Sequence, residues 1–515
     1  MPILRTTLTS AEVKLALAAV LGAAHTLSFA PWNLWWMQPL ALAGLFAQVA
    51  RVERVRAAAA LGFAFGLGWF GSGLWWVFVS MHIYGQMAAP LAAAATAAFV
   101  ALLALFPAAG LGVAAVLACA PVPRLLAALP AGWAAAEWLR GTVFTGFPWL
   151  ASGYAHSDGP LAGFAPVAGV YGMTLLAAIV AAALASIATL PRTRTAALAL
   201  FLAAAILVTG MWLAQRDWTQ PVGAPLRVRL VQGNVAQDEK FGPEALSRTH
   251  ALYLDLLQRP GTFELAVLPE SVYPVPLNQL PQTVARDLLS FVEQRKAALV
   301  FGIFVQEPPA RWFNSAVAIA PDRDGVQRYS KRHLVPFGEF IPPGFRWFVE
   351  LMTIPIGDQQ RGPRHQPPFE LAGQRIAVNI CYEDLFGAEI IDAWHDPARA
   401  PTVLLNLSNL GWFGETIALP QHLQISRLRA LETGRPMLRA TNTGATAIID
   451  ARGRVRALLP FATAGVLDGE IQAHTGQTPY VRYGDVPALA ALTMLGVLAV
   501  ACRRRAPQPA PQGAP

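Results

Sequence analysis

The stretch Gln374-Arg-Ile-Ala-Val-Asn-Ile-Cys381-Tyr-Glu-Asp384 reads as an apolar run that ends on a thiol and then on two carboxylates. A short apolar run of this kind is a buried strand, so Cys381 stands at a strand end. It is one of three cysteines, and the other two, Cys119 and Cys502, lie in or beside long apolar segments. The polar part of the chain therefore holds one thiol with no disulfide partner. Among acids and bases at a strand end, such a thiol is a nucleophile candidate. Its ordinary alternative is a small buried hydrophobe.

The 515 residues are 55% hydrophobic and 14% charged, where soluble proteins carry about 25% charged residues. That composition indicates a membrane protein. A net charge of +8 invites a nucleic-acid reading. The arginines of the apolar half, however, cluster between apolar segments, which is a topological pattern, and no nucleic-acid partner is expected.

Apolar blocks of spanning length, about 20 residues, are expected near 13–30, 33–50, 57–80, 87–118, 122–140, 166–190 and 194–214, with a last one at Val486–Cys502. The first is followed by Pro31-Trp-Asn-Leu-Trp-Trp36, an aromatic interface patch and not a cleavage site. Arg5 and Lys14 precede the first block. Arg51, Arg54 and Arg56 fill the second connection, Arg124 the fourth, Arg192 and Arg194 the sixth, and Arg503 to Arg505 follow the last. The first and third connections carry no Lys or Arg. This alternation predicts seven spans before the polar domain and one after it, both termini cytoplasmic and the polar domain on the other side. Arg140 is the exception, and Glu137, one turn earlier, is its expected partner. Gly66-Leu-Gly-Trp-Phe-Gly71 matches a dinucleotide fingerprint but lies inside an apolar block. It reads as close helix packing.

The domains expected are 1–216 (membrane helices), 217–485 (polar and catalytic), 486–502 (a last span) and 503–515 (a disordered tail). In the polar domain, strands are predicted at Leu226–Val235, Leu265–Leu268, Ala298–Val305, Ser315–Ala320, Arg375–Ile380, Thr402–Leu407 and Met437–Ile449. Helices are predicted at Pro243–Gln258, Pro281–Ala297, Ala388–His395 and Leu419–Thr433. Buried strands alternating with helices make this an α/β domain of one or two layered sheets.

Three places put a reactive side chain at a strand end: Glu270 in Leu-Pro-Glu-Ser, Lys331 in Tyr-Ser-Lys-Arg-His, and Cys381. A thiol with a pKa of about 8.5 needs a base or a cation beside it. Glu270 suits the first role, and Lys331 suits stabilising the oxyanion of a tetrahedral intermediate. Read singly, Glu270 is equally a capping or salt-bridge carboxylate, Lys331 a surface lysine and Glu339 a loop acid. The histidines show no metal-ligand spacing, and no Walker lysine or GxSxG elbow occurs. No metal or cofactor is expected.

These three motifs, in this order, resemble the Glu-Lys-Cys triad of the nitrilase superfamily. The surrounding words are similar to one branch, the apolipoprotein N-acyltransferases of the Gram-negative inner membrane. They include Val231-Gln-Gly-Asn234, Asn406-Leu-Ser-Asn409, Trp412-Phe-Gly414, Arg435-Pro-Met-Leu-Arg-Ala-Thr-Asn-Thr-Gly444, Glu137-Trp-Leu-Arg140, Gly146-Phe-Pro-Trp149 and Val170-Tyr-Gly172. The resemblance implies a periplasmic α-β-β-α sandwich beside a helical membrane domain. It also implies transfer of an sn-1 acyl chain from a phospholipid to the α-amine of a diacylglyceryl-cysteine apolipoprotein, through a thioester on Cys381. Glu270 is then the base, Lys331 the oxyanion stabiliser and Glu339 an orienting group, with Tyr382 and Glu383 supporting. A monomer is expected. Phe241, Phe340, Trp347 and Trp412 are the expected substrate-binding aromatics, and the apolar loop Phe337–Phe348 has the composition of an interfacial lid. Its ordinary alternative is packing against the membrane domain. Two departures bear on the channel, not on the triad. Phe241 stands where the branch often has Trp, and Leu410 follows Asn409 where it often has Asp. Rival readings are a membrane-tethered amidase with the same triad and, further off, a transporter or receptor with a nitrilase-like outer domain. The spans offer few of the midplane ionisable groups that a transporter needs.

Overall fold

The computed structural model describes residues 9–118, 120–190, 193–237, 244–344, 346 and 358–504. The chain forms two compact units. One takes the described residues up to Trp75, Ala95–Gln215 and those from Asp485 on; the other takes Trp76–Ala94 and Arg216–Gly484.

The first unit is helical. Among the described residues, Ala89–Leu117, Pro160–Thr189 and Arg194–Leu213 are long and apolar enough to cross a membrane, with a fourth if Val55–Gly73 and Trp76–Tyr84 count as one broken span. Ser10–Thr26 and Met37–Ala50 have 17 and 14 residues. The glycines of the dinucleotide-like motif pack helices closely, as small residues do. A Cβ on Gly68 would stand 1.9 Å from the Ala19 carbonyl oxygen, and one on Gly66 2.7 Å from the Ala104 Cα. Glu137 and Arg140 pair at 3.4 Å, both buried. The carboxylate also accepts the Ser152 N–H at 2.8 Å, and the guanidinium donates to the carbonyls of Phe147 and Trp149 at 2.5 and 2.8 Å. The pair thus closes the loop that follows its helix.

The expected span 57–80 is not one helix. Val55–Gly73 ends at a Gly-Ser-Gly step, and a new helix begins at Trp76 and winds into a π-turn over Ser80–Tyr84. Ser72 Oγ donates back to the Gly68 carbonyl at 2.7 Å, which competes with the helix ladder where two glycines already weaken it. The stretch Trp76–Ala94 folds with the second unit.

The second unit stacks two sheets. One runs Gly465–Ile471, Leu226–Gln232, Leu265–Val267, Ala298–Glu307, Arg311–Ala320, Arg323–Ser330, with Tyr273–Pro276 also on Ala298–Glu307. The other runs Val455–Leu458, Ala447–Ile449, Met437–Thr441, Val403–Ser408, Gln374–Ile380, Phe369–Leu371. Alternate side chains face opposite ways along a strand. Val228, Leu230, Val267 and Val300 therefore meet Ile376, Val378, Leu405 and Leu438 in the core between the sheets. The outer faces carry helices. Val231, Ala266 and Leu299 pack on Leu256 of helix Ala245–Gln258 and Leu288 of helix Gln282–Arg295. Ala377, Leu404 and Met437 pack on Leu423 and Ala430 of helix Ala418–Thr433. The layers are α-β-β-α, and strands covered on both faces explain the near-continuous apolar runs.

Two sequence expectations differ in detail. Met437–Ile449 is an antiparallel pair, Met437–Thr441 and Ala447–Ile449, turned through Ala445 at φ 65°. The helix expected at Ala388–His395 is one α-turn, Gly387–Ile390, followed by a 3-10 turn, Ile391–Trp394.

Candidate active site

Direction decides which strand ends meet. Leu226–Gln232, Leu265–Val267 and Ala298–Glu307 are parallel, and two successive antiparallel pairings return Arg323–Ser330 to the same direction. Gln374–Ile380, Val403–Ser408 and Met437–Thr441 are parallel in the other sheet. Glu270, Lys331, Cys381 and Asn409 all follow the carboxyl ends of such strands, where open α/β sheets leave room for ligands.

Two of these side chains, Glu270 and Lys331, form one polar knot with Asn314 and Glu339. Glu270 Oε1 accepts from Lys331 Nζ at 3.2 Å and from Asn314 Nδ2 at 2.8 Å, and its Oε2 accepts the Asn409 N–H at 2.8 Å. Lys331 Nζ also donates to Glu339 Oε1 at 2.8 Å. Glu339 takes a second bond from Asn314 at 3.1 Å and holds the Val335 N–H at 2.8 Å. Lys331 is 1% exposed. Burial opposes its charge, but Glu270 and Glu339 outweigh burial and raise its pKa, so it stays an ammonium.

Cys381 is half-buried and interacts electrostatically with Glu270, Lys331 and Glu339. Burial pushes the thiol up to about 12. Glu270 and Glu339 push the same way, while Lys331 and the Asn409 N–H pull down. A thiol held this high is protonated at neutral pH. The site therefore suits proton removal by an adjacent carboxylate during attack, not a preformed thiolate.

Cys381 has φ 52°, the left-handed region that side-chain-bearing residues rarely occupy and that recurs at active sites. Glu383 braces this elbow. Its Oε2 accepts the Ile380 N–H at 2.7 Å and its Oε1 the N–H groups of Arg332 and His333 at 2.6 and 3.1 Å, while the Tyr329 hydroxyl donates to both oxygens at 3.0 Å. One carboxylate thus ties the Cys381 strand end to the Lys331 strand end. Burial raises Glu383 from 4.5 to about 7, against its backbone donors and Lys331. A carboxyl raised on folding adds stability that is full below its unfolded pKa and is lost as pH rises through about 7, about 3 kcal/mol in all. The thermal midpoint of the wild type in detergent should fall between pH 5 and pH 8 more steeply than that of Glu383→Gln. Equal slopes would remove Glu383 from this role.

Tyr382 turns its ring toward Phe386 and His333, with centroids 5.2 and 5.6 Å away. Phe340 is half-buried with Arg361 5.3 Å over its ring, and Trp412 is 39% exposed. Phe241 and Trp347, and with Trp347 the loop residues Phe345 and Phe348, lie outside the described residues. Asn314 and the Asn409 N–H were not singled out from the sequence. The one available signal was Asn314 itself, a polar residue inside a buried strand that must find a partner there. Leu410, one of the two departures, is wholly buried. Among the described residues no group of three His, Cys, Asp or Glu side chains can hold a metal ion.

Two facing sheets with a carboxylate, an ammonium and a thiol at their carboxyl ends define a carbon–nitrogen hydrolase fold, and residues 227–480 match the carbon-nitrogen hydrolase family model. Residues 21–183 match that of the apolipoprotein N-acyltransferase N-terminal domain. An apolipoprotein N-acyltransferase of Ralstonia nicotianae is 50% identical over 494 residues, covering 95% of this chain and 94% of the relative. One of Bordetella bronchiseptica is 47% identical, covering 96% and 98%. The chain belongs to the apolipoprotein N-acyltransferase family. Among solved structures, a carbon–nitrogen hydrolase from Helicobacter pylori covers 55% of this chain and 95% of its own, at 16% identity and a TM-score of 0.37.

Proposed function

We propose that this chain moves the sn-1 acyl chain of a phospholipid to the N-terminal α-amine of a diacylglyceryl-cysteine apolipoprotein, through a thioester on Cys381. In the first step Glu270 takes the thiol proton as sulfur attacks the ester carbonyl. The oxyanion forms near Lys331, which has three N–H donors and gives two to Glu270 and Glu339. Collapse breaks the ester C–O bond, the proton passes from Glu270 to the departing lysophospholipid oxygen, and the thioester remains. In the second step the amine attacks the thioester, Glu270 takes a proton from the nitrogen, and sulfur leaves and is reprotonated. Glu339 orients the ammonium, Glu383 and Tyr382 support the elbow, and Phe241, Phe340, Trp347 and Trp412 line the acyl and acceptor path.

The observation that carries this reading is the convergence of Cys381, Glu270 and Lys331 on one buried knot. It is joined to a chain whose relatives along nearly its whole length are named for this activity. The charge alternation further supports seven spans and one C-terminal span with both termini cytoplasmic, and the family likeness supports placing them in the bacterial inner membrane. In that arrangement 217–485 is the periplasmic catalytic domain, 1–216 and 486–502 lie in the membrane and 503–515 is a cytoplasmic tail. Purified protein incubated with phospholipid should carry a hydroxylamine-labile acyl adduct on Cys381, read by site-resolved mass spectrometry and missing in Cys381→Ala. A diacylated lipopeptide with a free amine should discharge it, and the N-acetylated lipopeptide should not. An intact protein without adduct, or discharge by water alone at the same rate, would overturn the proposal.

A further inference from the structure

The carboxyl ends of the two sheets are joined beside Glu270 by a chain of buried amides to which the acyl transfer gives no role. Asn442 follows the strand Met437–Thr441 of one sheet, and Val235 lies just past Leu226–Gln232 of the other. Asn442 is wholly buried. Its Oδ1 accepts the Val235 N–H at 3.0 Å and its Nδ2 donates to the Val235 carbonyl at 2.8 Å, so one side chain pairs with both polar groups of a single residue. The main chain repeats the tie. The Asn234 N–H donates to the Asn442 carbonyl at 2.7 Å, and the Asn442 N–H donates to the Ser408 carbonyl at 3.1 Å.

The sense of each bond follows from that first pairing. A backbone N–H can only donate and a carbonyl can only accept, so Val235 fixes which end of the Asn442 amide carries the nitrogen. The second Nδ2 hydrogen goes to Asn409 Oδ1 at 3.1 Å. Asn409 must therefore donate with its own nitrogen, which reaches Gln237 Oε1 at 2.9 Å. With both ends of its side chain held, Asn409 presents its peptide N–H to Glu270 Oε2 at 2.8 Å. Glu270 Oε1 is meanwhile held by Asn314 and Lys331. The carboxylate thus has one oxygen fixed from its own sheet and the other from the facing sheet.

We propose that Asn442, acting through Asn409, is a positioning residue that sets the Glu270 carboxylate for proton transfer from Cys381. It touches no substrate. This rests on Cys381 being the acylated thiol and Glu270 its base, and the test separates the claims. Full-length wild type, Asn442→Ser, Glu270→Gln and the double variant are incubated with a phospholipid series in detergent micelles, and adduct formation on Cys381 is timed by mass spectrometry. Misplacement of about 1 Å costs on the order of 100-fold, so Asn442→Ser should acylate about 10- to 100-fold more slowly at an unchanged phospholipid KM. In the Glu270→Gln background no carboxylate is left to aim. There the same substitution should change the rate by less than about twofold, because groups that act as one unit are not additive. A general loosening of the fold would slow both backgrounds alike. If Asn442→Ser does not fold, judged by its thermal midpoint, Asn409→Ala decides in the same two backgrounds, since it keeps the peptide N–H and loses the side chain that aims it. A folded variant as fast as wild type, or one slowed by the same factor in both backgrounds, overturns the positioning role. A wild type that forms no adduct overturns the thiol assignment beneath it, and a Glu270→Gln enzyme as fast as wild type overturns the base assignment.

Discussion

Glu270→Gln should slow acyl-enzyme formation between about 10²- and 10⁴-fold, the span that a positioned general base contributes, and should speed alkylation of the same thiol. Glu270 acts on Cys381 in two ways that point in opposite directions. As a base it accepts the proton in the transition state. As a standing negative charge it raises the thiol, which burial has already lifted to about 12. Neutralising the carboxylate removes the acceptor and lowers the thiol pKa, so iodoacetamide, which reacts with thiolate, labels Cys381 faster at pH 8. The Gln oxygen can still take the Asn314 and Lys331 donors, and Lys331 keeps Glu339 as its partner; the one bond lost is that of the Asn409 N–H, which then faces the amide NH2, so the thermal midpoint should fall by no more than a few degrees. An unfolded variant would also label faster, and the retained midpoint separates the two causes. Slower labelling together with slower acylation would mean that Glu270 is not the charge that holds the thiol protonated.

Much of this site is legible in the sequence because its members follow apolar runs. Leu265–Val267 and Gln374–Ile380 are buried on both faces, so their ends stand out, and Glu270 and Cys381 with them. The site's braces are harder to see, because they are set by pairing across strands distant in sequence. Asn314 bridges two carboxylates 44 and 25 residues away, and its polarity inside a buried strand says that it needs a partner without saying which. Asn409 and Asn442 meet across 33 residues, each just past the end of its strand. Polar strands escape for a related reason. Arg323–Ser330 is largely exposed and Gly465–Ile471 alternates with Asp468 and Glu470, so their ladders come from a neighbour and not from hydrophobic periodicity. The break after Gly73 has a local cause in Ser72 and two glycines, but the overall hydropathy runs through it unbroken.

Lys331→Met should remove acyl transfer by about 10³-fold or more and destabilise the catalytic unit by about 3–5 kcal/mol, the cost of leaving a buried charge without its partner. The stability loss should depend on pH. Lys331 Nζ stands between Glu270 and Glu339, and Asn314 Nδ2 touches the same two oxygens. Without the ammonium, the buried Glu270 and the half-buried Glu339 carboxylates face each other, and one of them gains a proton to relieve the repulsion. Its pKa in the folded state then rises above the unfolded value, so folding binds a proton. The variant is closest to wild type in acid and falls further behind as pH rises. The midpoint gap between wild type and Lys331→Met should therefore be wider at pH 8 than at pH 5, and a gap of constant width would contradict the placement of the charge. Adding Glu339→Gln to Lys331→Met removes one of the two repelling groups. The double variant should recover a large part of the lost stability and none of the acyl transfer, because the charge balance is restored while the oxyanion donor is still missing. Recovery of both together would assign Lys331 a structural role only.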